Sequence, residues 1–382
     1  MLPVPPPIAT DFAQLPTLDG SLPGSWQREL AGAVRTSEEL LRRLNLIDPG
    51  ESLERASERL GLLTLDFAES AHKTARESGH EQESVTRVAE ILRRFPVLVP
   101  ENFLNRMRPG DPSDPLLRQV LPLAAESVVV DGFISDAVGD LSARRTRGVL
   151  QKYAGRVLLI AASSCAVHCR YCFRRDYPYE AEPRRLDEWQ SALTEISLDS
   201  SISEVIFSGG DPWMLSDMRL KSLCSAIDAI PHIERIRFHT RLPIVLPSRV
   251  TDELLMLFSE LRSQSIVVVH SNHANEIVGD CELALRRLVK SGIPVLNQSV
   301  LLKGVNDSVD AMEALSRRLI NIGVMPYYLH QLDQVTGAAH FEVGKPEGQE
   351  IIRQLSTRLP GYALPRYVQE IPGDTGKTPI SS

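Results

Sequence analysis

From residue 156 onward, short apolar runs alternate with amphipathic stretches. The runs are Arg156–Ala162 (RVLLIAA), 204–208 (EVIFS), Arg235–Thr240 (RIRFHT), 266–270 (IVVVH), 295–301 (VLNQSVL) and 324–329 (VMPYYL). Between them, residues 219–230, 252–261, Asp280–Lys290 and 311–320 repeat apolar positions at helical spacing. Six strands alternating with helices predict parallel βαβ units in an α/β fold. A full eight-stranded barrel takes about 250 residues, more than the chain has left after residue 150. The pattern therefore predicts an incomplete (β/α)6 TIM-like barrel over 151–370. In such a sheet the active site lies at the C-terminal ends of the strands.

Upstream the pattern differs. Residues 1–25 are rich in proline and lack periodicity, as an extended arm would. A helical N-terminal region follows. Thr36-Ser37-Glu38-Glu39 reads as a capping box before Leu40, Leu41 and Leu44, and Val85, Val88 and Leu92 recur at helical spacing. Prolines mark 95–115 as a linker that closes this region. Residues 116–150 are expected to form a helical connection, and 371–382 a separate C-terminal segment.

Composition narrows the class. The chain is 43% hydrophobic and 24% charged over 382 residues, an ordinary globular balance. A net charge of 42 − 49 = −7 argues against nucleic acid as a partner. No apolar run approaches the ~18 residues of a membrane span. The opening Met-Leu-Pro-Val-Pro-Pro-Pro lacks the charged and apolar regions of a secretory signal. Five cysteines are too few, and odd in number, for a disulfide scaffold. The expectation is a reducing, cytoplasmic location.

Three of those cysteines fall in Cys165-Ala-Val-His-Cys169-Arg-Tyr-Cys172, just after the first strand. Clustered thiolates suit an iron–sulfur cluster or zinc. One compact loop reaches three irons of a cubane and leaves the fourth open to a chelating ligand. Zinc needs a fourth ligand, for which His168 is poorly placed beside Cys169. A buried helix face is the third alternative, disfavoured by Ser163-Ser164. Ser208-Gly209-Gly210-Asp211-Pro212 ends the second strand, where glycines allow close backbone approach; as a bare sequence it is also a common turn.

The C-x3-C-x2-C loop, with Tyr171 before its third cysteine, resembles the radical S-adenosylmethionine (SAM) signature. The resemblance narrows to the lysine 2,3-aminomutase family over residues 26–380. It is carried by 151–160 (QKYAGRVLLI), Cys172-Phe-Arg-Arg175, 297–307 (NQSVLLKGVND), 326–333 (PYYLHQLD), His340-Phe341 and 372–379 (PGDTGKTP). It implies an isomerase with three cofactors: a [4Fe–4S] cluster on Cys165, Cys169 and Cys172, SAM, and pyridoxal 5′-phosphate (PLP). The chemistry implied is hydrogen abstraction from Cβ of L-lysine, migration of nitrogen from Cα to Cβ, and return of the hydrogen to give (R)-β-lysine.

The resemblance also implies roles for residues. Lys377 matches the lysine that forms the Schiff base with PLP; by composition alone it would be a solvated lysine. Arg174 matches the residue that grips the substrate α-carboxylate, and Asp333 and Glu370 match two aspartates that hold the ε-ammonium. Glu370 departs from that pattern by one methylene. Arg156 is implied at the PLP end, while Gly209, Gly210, Asp211, His270 and Gln298 are implied on the SAM side. Ser308 stands where longer members carry a cysteine, and the chain stops five residues after Lys377. No zinc and no tail-dependent assembly are therefore expected, and a homodimer is left open. Cys224 and Cys281 sit in helical patterns and read as structural. The short form is similar to the enzyme that supplies β-lysine for elongation factor P. This implies a functional link to that factor and its lysine ligase, and an electron donor such as flavodoxin or ferredoxin. The rival readings are a catabolic lysine or glutamate 2,3-aminomutase and a non-catalytic iron–sulfur sensor.

Overall fold

The computed structural model describes residues 25–62 and 95–381. The proline-rich arm and the repeat of Val85, Val88 and Leu92 lie outside the described residues. One sheet of ten strands organises the chain, in strictly sequential order. β1 (Arg144–Thr146) and β2 (Val149–Leu150) form an antiparallel edge on β3 (Arg156–Ala162). Parallel pairing then runs through β4 (Glu204–Gly209), β5 (Arg235–Thr240), β6 (Gln264–His270), β7 (Val295–Val300) and β8 (Met325–His330). These are the six strands that the apolar runs predict. A seventh parallel strand, β9 (Arg366–Gln369), follows the helix Lys345–Arg358 and carries the antiparallel β10 (Thr378–Pro379).

Strand order is linear, with β1 and β10 at its two ends, so the sheet is an incomplete barrel. Helices Asp217–Asp228, Asp252–Glu260, Asp280–Lys290 and Val309–Ile320 return the chain between parallel strands. Each of the first, second and fourth is capped by a hydroxyl: Ser216, Thr251 and Ser308 accept from the backbone N–H three residues on. Thr36 caps Ser37–Arg43 in the same way. Leu220, Phe238, Leu254, Val267, Leu285 and Leu319 belong to the core between strands and helices. Cys224 and Cys281 are wholly buried in it.

Residues 116–150 differ from the expected helical connection. They hold a helical turn at Pro115–Arg118, a 3-10 turn at Ala124–Ser127, a run of turns, and β1–β2. Gly132, Gly139 and Gly148 all have positive φ there, which interrupts any helix. Among the described residues no helix is long and apolar enough to cross a membrane.

Candidate functional site

A cavity of about 590 Å³ runs along the inside of the sheet. Lining it are all thirteen cofactor- and substrate-site residues singled out above, from Arg156 to Lys377. They come from separate strands and meet because successive parallel strands deliver their C-terminal ends to one rim. Arg156 is the exception. It opens β3 and so lies about 20 Å along the strand from the cysteine loop. The cavity therefore has a thiol end and an arginine end.

At the thiol end, Cys165, Cys169 and Cys172 are free and half-buried. Burial pushes the Cys165 thiol well above its ordinary range, with Cys172, Asp211 and Cys169 adding repulsion. Burial and Cys169 raise Cys172 to about 11. Such a donor set suits a group that brings positive charge, because coordination deprotonates thiols outright. Arg241, directly after β5, donates to Cys169 Sγ at 2.6 Å. The loop itself is anchored by wholly buried ion pairs: Arg170 grips both oxygens of Glu126 at 2.8 and 2.6 Å, and Arg175 adds a third bond at 3.0 Å. Tyr171 shares a hydrogen bond of 3.0 Å with His270 Nε2 and receives one from Asn272 at 2.7 Å. Burial, then Arg241, lowers His270 to about 3, so it is a neutral imidazole. His168 points elsewhere, with Nδ1 2.7 Å from the Pro96 carbonyl and its ring stacked on Phe95.

Gly209 and Gly210 sit against the strand end that leads into this loop. Gly209 has φ +116°, and a Cβ there would lie 2.5 Å from the Ala162 carbonyl oxygen. A Cβ on Gly210 would lie within 2.7 Å of three Ser164 backbone atoms. The approach is locked by hydrogen bonds from Gly210 N to Ala162 O (2.7 Å) and from Asp211 N to Ser164 O (2.8 Å). Tyr179 Oη donates to the Gly209 carbonyl at 2.8 Å. Gly210→Ala is therefore expected to cost about 1–3 kcal/mol, as overpacking does. Thermal melting should register the loss, and an unchanged melting temperature would contradict the close approach. Asp211 lines the cavity but spends its carboxylate on Trp213 N (3.0 Å), Thr240 Oγ1 (2.7 Å) and Arg241 N (2.6 Å). It bolts β4 to the end of β5. Gln298, opposite His270 in register, makes no side-chain hydrogen bond among the described residues.

A second cluster is charged. Arg174 donates from Nε to Asp140 Oδ2 at 2.5 Å and from a terminal nitrogen to Ser208 Oγ at 3.0 Å. Glu370 pairs with Lys377 and accepts from Tyr153 Oη at 2.7 Å. The β9–β10 hairpin explains the first contact: Thr378 lies opposite Gln369, so the next residues inward, 377 and 370, face one another. Burial works against the Glu370 carboxylate, but Lys377, Tyr153 and Lys152 hold it below its usual range. Asp333 follows β8 and makes no side-chain hydrogen bond among the described residues. Burial raises it to about 7 against the pull of Lys377. The Lys377 side chain keeps 25% of its surface exposed, enough to reach. At the arginine end, Arg156 has its guanidinium 4.6 Å from the Tyr153 ring centre and no ion pair among the described residues. A reachable amine and an uncommitted guanidinium in one cavity fit an aldehyde that carries a phosphate.

Sequence reasoning missed Asp140, Lys152, Tyr153 and Arg241. Only Arg241 carries a signal, as a charge directly after a strand's C-terminal end.

Comparison with known proteins adds to this geometry. Residues 159–315 match the Radical SAM superfamily. L-lysine 2,3-aminomutase of Escherichia coli (strain K12) is 40% identical over 97% of this chain and 98% of its own. That of Haemophilus influenzae is 44% identical over 74% and 84%. That of Clostridium subterminale is 34% identical over 78% of this chain and 71% of its own.

Proposed function

Since the chain belongs to the lysine 2,3-aminomutase family of radical SAM enzymes, we propose that it is a PLP-dependent isomerase converting L-lysine to (R)-β-lysine. Membership implies a [4Fe–4S] cluster and SAM. The observation that carries the finer reading is the distribution of charge in one cavity, with Arg174 toward the thiols and Asp333 and Glu370 beside Lys377. Bound together, the cluster and SAM supply an organic radical, and PLP spreads the unpaired electron while nitrogen migrates.

The chain's own residues select and hold the substrate. Cys165, Cys169 and Cys172 ligate the cluster, and Gly209, Gly210, His270 and Gln298 face SAM. Arg174, held by Asp140, offers its remaining N–H groups to the α-carboxylate. Lys377 binds PLP, and Arg156 its phosphate. Among the described residues Asp333 has no ion pair and Glu370 pairs with the amines of Lys152 and Lys377, so this end of the cavity suits a substrate ε-ammonium. Glutamate would instead set its side-chain carboxylate against two acids, which disfavours a glutamate mutase. The Escherichia coli relative is 40% identical over 97% of this chain and the clostridial one 34% over 78%, which favours the form similar to the former. We extend the proposal to supply of β-lysine for elongation factor P.

Anaerobic assay of cluster- and PLP-reconstituted protein with lysine, SAM and reductant tests the reading. β-Lysine is expected, and its absence alongside intact SAM cleavage would sink it. The acid pair carries a further test. Below pH 7 Asp333 is protonated and offers no charge to an ammonium; above it the carboxylate forms. Thus kcat/KM for lysine should rise with pH through about 7 or above, because this ratio reports the free enzyme and a cofactor on Lys377 weakens the pull that lowers Asp333. Asp333→Asn should flatten that limb and lower kcat/KM above pH 7 at least about tenfold, as loss of a buried charge partner does. An unaltered profile would remove Asp333 from the ammonium site.

A further inference from the structure

An unbroken chain of alternating charge crosses the cavity. Arg174 Nε meets Asp140 Oδ2 at 2.5 Å. Asp140 Oδ1 lies 2.7 Å from Lys152 Nζ, an ion-pair contact outside hydrogen-bond alignment. Lys152 donates to the Val138 carbonyl at 2.8 Å and reaches Glu370 Oε1 at 3.5 Å. Asp140 is 2% exposed at its side chain. Burial works against its charge, yet Arg174 and Lys152 hold it down to about 2. Together Asp140 and Lys152 join the two groups proposed to read the ends of the substrate.

We propose that Asp140 and Lys152 are positioning residues that fix the separation of Arg174 and Glu370, and so set the length of the diamino acid accepted. The inference rests on the lysine reading above. Arg174 has no other carboxylate partner among the described residues, so Asp140, with Ser208 on one terminal nitrogen, aims its fork. Lys152 and Tyr153 are consecutive and both reach the same Glu370 oxygen, which locks that carboxylate from one side. The span is therefore set by short contacts between buried or half-buried groups. A substrate one methylene too short then leaves one terminal charge unpaired, which a built polar site rejects strongly.

The test compares lysine with ornithine, its homologue one methylene shorter, in reconstituted wild type, Lys152→Met, Lys152→Arg and Asp140→Asn. Wild type should prefer lysine. In Lys152→Met and Asp140→Asn the ratio of kcat/KM for lysine over ornithine should fall at least about fivefold, with iron and PLP content unchanged. Lys152→Arg keeps a cation in the bridge and should hold the ratio within about twofold. A merely structural role lowers both substrates in proportion and leaves the ratio fixed; that result overturns the inference. Should Asp140→Asn not fold, the two Lys152 variants decide alone. A wild type inactive on lysine sinks the aminomutase reading first, and this one with it; a wild type active on lysine with variants of unchanged ratio sinks only this one.

Discussion

Cys169→Ala is expected to strip the protein of cluster iron and of SAM cleavage together, a loss of activity to background. Cys169 is the central cysteine of the loop, and its sulfur accepts from Arg241 at 2.6 Å. Removing it leaves two thiols, too few to hold a cubane whose remaining iron must bind SAM. The fold should survive, because Tyr171, Arg170 and the Gly209–Gly210 contacts anchor the loop independently. Iron analysis and the broad visible absorption of the reconstituted protein measure the effect. A full four-iron cluster in this variant would overturn the ligand assignment. Cys224→Ala is the matched control: that thiol is buried in the core, outside the cavity, and its loss should leave iron content unchanged.

Lys377→Ala is expected to abolish β-lysine formation by several orders of magnitude while sparing the cluster. Among the described residues Lys377 is the only lysine besides Lys152 that lines the cavity, and Lys152 is engaged by Asp140, Val138 and Glu370. Borohydride reduction of the PLP-loaded wild type should fix the cofactor to the peptide containing Lys377, and to none in the variant. A label on Lys152 instead would move the cofactor to the other side of Glu370. The variant also strips Glu370 of its nearest cation, so a lower melting temperature without cofactor is expected alongside the chemical defect.

The central strands and their helices were legible because β3, β4 and β6 are mostly buried and read as nearly continuous apolar runs, while β5 and β7 alternate buried and half-buried positions at the strand period. β9 and β10 were not. They hold four and two residues, and Pro365 and Pro379 sit at or beside their ends. Missing them hid the hairpin that sets Lys377 opposite Glu370, so their separation of seven residues had no visible cause. The turns of 116–150 were read as helix although Gly132, Gly139 and Gly148 were there to be weighed. Asp140 and Lys152 had no local signature, since what they do depends on partners up to 218 residues away. Asp211 shows the converse. Its motif drew attention, while its carboxylate is spent on joining two strands.

The sheet's two ends have a consequence for size. In a closed barrel, strand number and stagger fix the girth, and changing it means moving a whole strand. Here the edge at β1–β2 and the edge at β9–β10 meet through Lys152, Tyr153 and Glu370, with Pro372 against Gly139. The circumference is closed by side-chain reach, not by a backbone ladder. Substitution at these few positions can widen or tighten the bore by a methylene at a time, with every strand register left as it is.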